Sequence, residues 1–346
     1  MLNPDAKLNP HIFDDDVELK ATRFGFGEGL VLAAEADKNV VALCADLLES
    51  TQNEAFAKKF GERFFEVGVA EQNLATIAAG LGVSGKIPFI SSYAVFSPGR
   101  NWEQIRTTIA YNESNVKIAG HHAGLLVGAD GATHQATEDI ALMRVLPNMK
   151  VFVPCDAMEA KKATMASAHI WGPVYLRFQR EKTAVITTNE TPYLPGKAEI
   201  FWQSQNSVSL NKNKIGKYST KNPAVLIIAT GAIVYNALKA ARELENDGIG
   251  TIVLNCHTIK PIDEKKIVEL SKKIGAVVTV EDHQIAGGLG GAVAEVLAKN
   301  APTPIEFVGI NDVFGESGTP DELYKKYGLD VKGIINATKK VLRRKK

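Results

Sequence analysis

The chain has few cysteines, almost no net charge and no long apolar run. Its 346 residues include only Cys44, Cys155 and Cys256, with no CxxC spacing. Three thiols cannot all pair, so a disulfide scaffold is excluded and a reducing cytoplasm is the expected location. Forty Lys and Arg against 39 Asp and Glu leave a net charge of +1, too little to draw the chain to nucleic acid or an anionic membrane. No apolar run reaches the roughly 18 residues of a membrane span. The opening stretch MLNPDAKLNPHIFDDD lacks the basic and apolar regions of a secretory signal. There is no GxxxxGK[ST], GxSxG or HExxH. The glycines of 25–29 and 287–291 miss the full GxGxxG spacing, so neither marks a dinucleotide site.

What remains is ordinary globular composition, 45% hydrophobic and 23% charged, at a length that suits about two domains. Strand-length apolar runs alternate with stretches of helical period, the pattern of an α/β fold with mainly parallel sheets. Strands are expected at Val40–Ala45, Pro88–Ser92, Val116–Gly120, Lys150–Pro154 and Val174–Phe178. Helices are expected at Gln72–Leu81, Trp102–Tyr111 and Ala157–Ala168, the last behind a possible N-cap at Asp156. After the Asn-, Ser- and Lys-rich stretch Gln203–Asn222 the alternation restarts. Strands Ala224–Ala229, Gly250–Asn255, Ala276–Val280 and Pro304–Val308 then alternate with helices near Ile233–Glu245, Asp263–Lys273 and Gly291–Leu297. The chain therefore divides into an N-terminal arm (1–18), a first α/β domain (19–190), a linker or insertion (191–222) and a smaller α/β domain (223–346). The basic tail ending in Arg-Arg-Lys-Lys reads as a solvated helix end that complements the helix dipole.

Three segments carry candidate chemistry. Glu71 lies where an apolar run turns into an Ala-rich helix. Burial there would raise its pKa and let it exchange protons near neutral pH, although an acid in a helix's first turn is also favoured by the dipole alone. The Gly-rich loop from Gly120 to Gln135 holds His121, His122, Asp130 and His134. After a strand of an α/β fold, such a loop contacts a ligand or serves the backbone. A metal site there is disfavoured because adjacent histidines point their rings apart. Arg177 and Arg180 would clamp an anion or form salt bridges, and Tyr93 and Phe96 would stack on a ligand or fill the core.

In order along the chain, FEVGVAEQNLATIAAGL, GKIPFISSYAVFSPGRNWEQIR, HAGLLVGADGATHQATEDIALMRVLPNMKV, GPVYLRFQR, Cys256–Asp263 and Phe314–Gly318 resemble the C-terminal half of transketolase. The resemblance runs from Ala21 to about Leu329. It implies a pyrimidine-binding domain of the thiamine diphosphate enzymes followed by a transketolase C-terminal domain, with the active site formed between chains. Glu71 matches the glutamate that bonds N1′ of the aminopyrimidine and activates the cofactor. Phe96 matches the aromatic residue that stacks on the pyrimidine, and Tyr93 stands where the family usually has Phe. Asp46 falls on the Asp near the thiazolium. Arg23, Ser50, His122 and Arg180 match the sugar-phosphate cluster, Asp130 the residue that recognises a substrate hydroxyl, and His134 lies close behind it. His122 is expected to act in catalysis as well as in binding.

The implied reaction carries a glycolaldehyde unit from a ketose phosphate to an aldose phosphate, in the pentose phosphate pathway and carbohydrate metabolism. Two departures shape the expectation. Ala129 replaces the acid of the family's GEDG, and no GDG followed by Asn is present to hold Mg²⁺ and the diphosphate. No metal ligands are therefore assigned to this chain. Mg²⁺ belongs to an N-terminal partner subunit carrying the pyrophosphate-binding domain, in an α2β2 heterotetramer without which this chain is inactive. The second domain is assigned packing and dimerisation only. The alternatives are the β subunit of a 2-oxoacid dehydrogenase E1, a deoxyxylulose-phosphate synthase-like enzyme, and a non-catalytic scaffold.

Overall fold

The computed structural model describes residues 1–204 and 223–345; residues 205–222 of the expected insertion lie outside the described residues. In chain order the strands are β1 (Leu19–Lys20), β2 (Val40–Cys44), β3 (Phe64–Glu66), β4 (Ile87–Tyr93), β5 (Lys117–His121), β6 (Lys150–Phe152), β7 (Val174–Arg177), β8 (Thr183–Ala184), β9 (Glu199–Gln203), β10 (Ala224–Ala229), β11 (Gly250–Asn255), β12 (Thr258–Lys260), β13 (Val277–Gln284) and β14 (Ile305–Ile310). The helices are α1 (Thr22–Ala36), α2 (Glu54–Lys59), α3 (Glu71–Val83), α4 (Trp102–Gln104, running on as a π-helical turn Ile105–Ala110), α5 (Asp139–Arg144), α6 (Ala157–Ala168), α7 (Val234–Asn246), α8 (Glu264–Ile274), α9 (Leu289–Asn300), α10 (Pro320–Lys326) and α11 (Val331–Arg344). None is long and apolar enough to cross a membrane.

Two sheets organise the molecule. The first runs β12-β6-β7-β5-β4-β2-β3, parallel throughout except for β12. The second runs β14-β13-β10-β11-β9, parallel except for β9. Helices cover both faces, so β2, β5, β7, β10 and β11 are buried along their whole length. That is why β2 and β10 appear in the sequence as unbroken apolar runs, while β5, β7 and β11 carry buried polar residues at their ends. One continuous core joins Leu43, Ile90 and Val151 of the first sheet to Leu226, Ile252 and Val293 of the second unit. The residues between, on the odd positions Val225, Ile227 and Val253, pack instead against α7 and α11.

Three features depart from the sequence reading. Helix α1 was not expected, because a segment with Gly25, Gly27 and Gly29 carries a propensity penalty of about 1 kcal/mol per glycine. The glycines are there for contact: a Cβ at Gly25 would stand 1.9 Å from the Ala157 carbonyl oxygen of α6. Close packing on α6 overrides the propensity. Within the expected linker, Glu199–Gln203 is a strand that closes one edge of the second sheet. The N-terminal arm is not loose either: Asn3 donates its amide to Phe201 O at 2.9 Å, and Phe13 packs edge-on against Trp202. The basic tail ends α11 as expected, with Lys340 2.8 Å from Glu306.

Candidate active site

The residues of interest collect at the carboxyl ends of the first sheet's parallel strands, where α/β folds hold ligands. Glu71 begins α3 after a tight turn in which Ala70 N bonds Gly68 O at 2.7 Å. It is only 2% exposed. Its Oε2 accepts from Arg100 Nη1 at 3.3 Å, and its backbone oxygen accepts from Asn101 Nδ2 at 2.9 Å. The Arg100 guanidinium also lies over the Phe96 ring, 4.9 Å from its centroid. Carboxyl and ring are thus neighbours linked by one half-exposed cation.

From Phe96 an aromatic row leads to the second cluster. Phe96 stacks on Tyr93 at 6.1 Å, Tyr93 stacks on His122 at 3.9 Å, and His134 stands edge-on to Phe96 at 5.6 Å. Tyr93 and Phe96 are half-buried rather than core residues. His122 follows β5 with φ at 54°, a left-handed conformation that costs a non-glycine residue about 1 kcal/mol or more. It is buried, and its Nδ1 has no hydrogen-bond partner among the described residues. His121 points the opposite way, into Phe26 and Phe178, so the two rings diverge.

Burial, with Arg23 and Arg180 nearby, lowers the His122 pKa from its ordinary 6.5 to about 3. The unfolded imidazole gains a proton below about 6.5 and the folded one does not. The group therefore costs stability as pH falls from 6.5 towards 3. By NMR the His122 ring should remain neutral down to about pH 4.5; a titration midpoint above 5 would contradict this.

Arg23 and Arg180 supply the positive charge. Burial, then the charge of Arg180, lowers the Arg23 pKa. Arg23 Nη1 donates to the Ser50 carbonyl at 3.0 Å, while its Nε is buried without a partner. Arg180 Nη1 donates to Val127 O at 2.9 Å and to Asp130 Oδ2 at 3.3 Å. His134 Nδ1 sits 2.9 Å from Thr133 Oγ1. The structure thus brings Glu71, Phe96, Tyr93, His122, His134, Arg23, Arg180 and Asp130 into one continuous surface. Ser50 joins it through its backbone oxygen. Asp46 is exposed after β2, with φ at 57°; among the described residues its backbone amide donates to Glu66 Oε1, and no bond joins it to Glu71 or the aromatic row.

Two sequence readings need amendment. Arg177 is not free to clamp an anion: it is buried, with Nε 2.8 Å from Asp139 Oδ2 and Nη2 bonded to Ala136 O and Asp282 O. Glu66 was overlooked. Its Oε1 accepts from the amides of Asp46, Val67 and Gly68 at 2.7, 3.0 and 3.1 Å, tying the loops after β2 and β3 together. An acid at a strand's end is the only sequence signal it gives.

The donor set fits part of a cofactor. A buried carboxyl beside a ring face suits a flat basic heterocycle, and paired guanidiniums suit an anionic ester. Nothing suits a hard cation with its diphosphate: among the described residues no group of three His, Cys, Asp or Glu could hold a metal ion. Two cavities of about 500 and 390 Å³ are lined by none of these side chains.

Comparison with known proteins gives the same architecture. Residues 19–185 match the family model "Transketolase, pyrimidine binding domain", and residues 216–334 match "Transketolase, C-terminal domain". A transketolase C-terminal section of Methanocaldococcus jannaschii is 47% identical over 316 residues, covering 91% of this chain and 94% of that one. The 6-deoxy-6-sulfo-D-fructose transketolase subunit SqwH of a Clostridium strain is 38% identical, over 90% of this chain and 91% of that one. Among solved structures, a split-gene transketolase described as an inactive β4 tetramer superposes with a TM-score of 0.83 at 44% identity, covering 94% of this chain and 99% of that one.

Proposed function

This chain belongs to the transketolase family as its pyrimidine-binding and C-terminal domains, and from that premise we propose that it is one subunit of a split, thiamine diphosphate-dependent transketolase. The observation that carries the proposal is the buried Glu71 carboxyl beside the Phe96 ring, continuous through Tyr93 with the His122, Arg23 and Arg180 cluster. When bound, the cofactor supplies the nucleophilic carbon and the electron sink.

The chain's own residues then divide the work. Glu71 would hold or give a proton at its buried oxygen to a basic ring nitrogen of the cofactor. Phe96 offers its ring face once Arg100 swings aside, and Tyr93 backs it. Arg23 and Arg180 hold the phosphate, with the Ser50 segment positioning Arg23. Neutral His122 hydrogen-bonds a reacting hydroxyl and can move its proton. Asp130 and His134 would accept from the remaining hydroxyls, and Asp46 would lie toward the thiazolium of the bound cofactor. The two-carbon unit passes from a ketose phosphate to an aldose phosphate.

A partner is required because this chain holds half of the site. Among the described residues no group of three His, Cys, Asp or Glu could hold a metal ion, and we assign Mg²⁺ and the diphosphate to the N-terminal subunit. The surface around Glu71 is apolar where a partner would sit: Phe65, Val69, Ile77 and Val83 are 38–69% exposed along β3 and the outward side of α3. The split-gene relative, described as an inactive β4 tetramer, supports the same reading, and we place this chain with its partner in an α2β2 assembly in the cytoplasm. The guanidinium pair would equally hold a sulfonate, the group in the sugar named for the SqwH relative.

The test is reconstitution. This chain alone, the N-terminal partner alone and their mixture are assayed with xylulose 5-phosphate and ribose 5-phosphate, thiamine diphosphate and Mg²⁺. Turnover is expected in the mixture only. Turnover by this chain alone would overturn the split site. Turnover in the mixture of 6-deoxy-6-sulfo-D-fructose in preference to the phosphate donor would move the substrate to the sulfonated class. Turnover of pyruvate alone would make it a 2-oxoacid dehydrogenase subunit.

A further inference from the structure

The C-terminal domain reaches into the substrate side of the first sheet through one carboxylate. Asp282 lies near the end of β13 and is 2% exposed. Its Oδ1 accepts the amide of Leu125 at 2.9 Å; its Oδ2 accepts Tyr324 Oη at 3.1 Å and Gln179 Nε2 at 3.4 Å. Its backbone oxygen accepts Arg177 Nη2 at 2.9 Å. Leu125 opens the turns that run to Asp130, and those turns carry the two acceptors that hold Arg180, Val127 O and Asp130 Oδ2. The approach is close: Gly124 has φ at 77°, and a Cβ there would lie 2.2 Å from Asp282 Oδ2.

We propose that Asp282 is a positioning residue for substrate recognition, fixing the start of the 124–135 loop and through it the placement of Arg180 and Asp130. The charge matters as well as the shape. Gln179 is oriented by its own Oε1, which accepts Ala232 N at 3.2 Å, so its Nε2 must face Asp282 as a donor. An amide at 282 that keeps its oxygen on Leu125 presents a second donor to that nitrogen, and buried donors facing donors are costly. The second domain therefore does more than pack: it sets the geometry of a loop in the first.

The inference rests on the reading of Arg180 as a phosphate ligand, and the test separates the two. In the reconstituted complex with the ketose donor saturating, Asp282→Asn is compared with parent using ribose 5-phosphate and free ribose as acceptors. The KM for ribose 5-phosphate should rise about tenfold, the scale of one lost bond to a charged group. kcat should stay within about threefold, and kcat/KM for free ribose should change by less than about threefold, limits well inside that tenfold signal. Tyr324→Phe, which removes a single donor to Asp282, should show the same pattern more weakly. Combined with Arg180→Ala, Asp282→Asn should add little, because both act through one contact. Equal losses with both acceptors, full additivity with Arg180→Ala, or no effect of either variant would overturn the inference. If Arg180→Ala itself leaves the KM for ribose 5-phosphate unchanged, the phosphate reading fails instead, and this inference falls with it. A second readout needs no turnover. In this chain alone, the Leu125 amide should exchange with solvent at least about tenfold faster in Asp282→Asn; unchanged protection would also overturn the inference.

Discussion

Glu71→Gln in the reconstituted enzyme is expected to lower kcat by about 10²–10⁴-fold, the usual contribution of a positioned acid or base, with assembly intact. Glutamine keeps the volume and can still bond Arg100, but it cannot take up or release a proton. The fold should tolerate the change. Asn101 ties the start of α3 through the backbone oxygen of residue 71, and the side chain serves no other recorded partner besides Arg100. Steady-state assays, with sedimentation to check assembly and titration of cofactor binding, measure the outcome. A kcat within about threefold of parent, far below the effect expected of a lost acid or base, would sink the assigned role.

Removing the buried partner of Arg177 should be the most damaging change to stability. Asp139 Oδ2 accepts from Arg177 Nε at 2.8 Å and from Tyr175 Oη at 2.7 Å, and both Asp139 and Arg177 are buried. Asp139→Ala leaves a guanidinium in the interior without its counter-charge, and breaking such a pair costs about 3–5 kcal/mol. Denaturant unfolding of the chain would show this as a lower midpoint. Replacing both partners together, Asp139→Leu with Arg177→Met, should recover part of the loss, because the two bonded charges go together, while Asp282, which Arg177 also faces, keeps the recovery incomplete. A single-variant loss below about 1 kcal/mol, the level of an exposed pair, would contradict the buried-pair account.

The sequence was most legible where burial is two-sided and caps are local. Strands β10 and β11 match their expected limits residue for residue, since an apolar run in an α/β chain has little else to be. Helix α6 begins where expected because Asp156 Oδ1 accepts the Glu159 amide at 2.7 Å, a signal contained within four residues. Legibility failed where the cause lies far away in the chain. Gly25 and Gly29 of α1 make sense only against α6, and Gly27 only against the backbone at Gln52. Strand β9, set among polar residues, gains its form from β11. Three-residue β12 exists only because β6 lies beside it.

The candidate site divides along the same line. Loop residues that a motif carries, such as Glu71, His122 and Asp130, could be named before any coordinates. Arg177, the last residue of β7, and Arg180, three residues beyond it, could not be told apart by sequence: one is consumed by Asp139, the other stays half-exposed. The contact between Asp282 and the Leu125 amide has no sequence signature at all, because its partner is backbone. Electrostatic role is a property of what lies opposite a side chain, and a string of residues does not record that.

Strand β12 has a further meaning for how such a gene can be divided. It belongs, by position along the chain, to the second unit, yet it pairs antiparallel with β6 and forms the outer strand of the first unit's sheet. A chromosomal break between the two units would strand β6 with its hydrogen-bonding edge bare, an invitation to intermolecular pairing. Neither half would then be a clean module for recombination to shuffle. A break upstream of both leaves the exchanged strand in place. The two units therefore travel as a pair, because the strand that completes the first unit's sheet is encoded with the second.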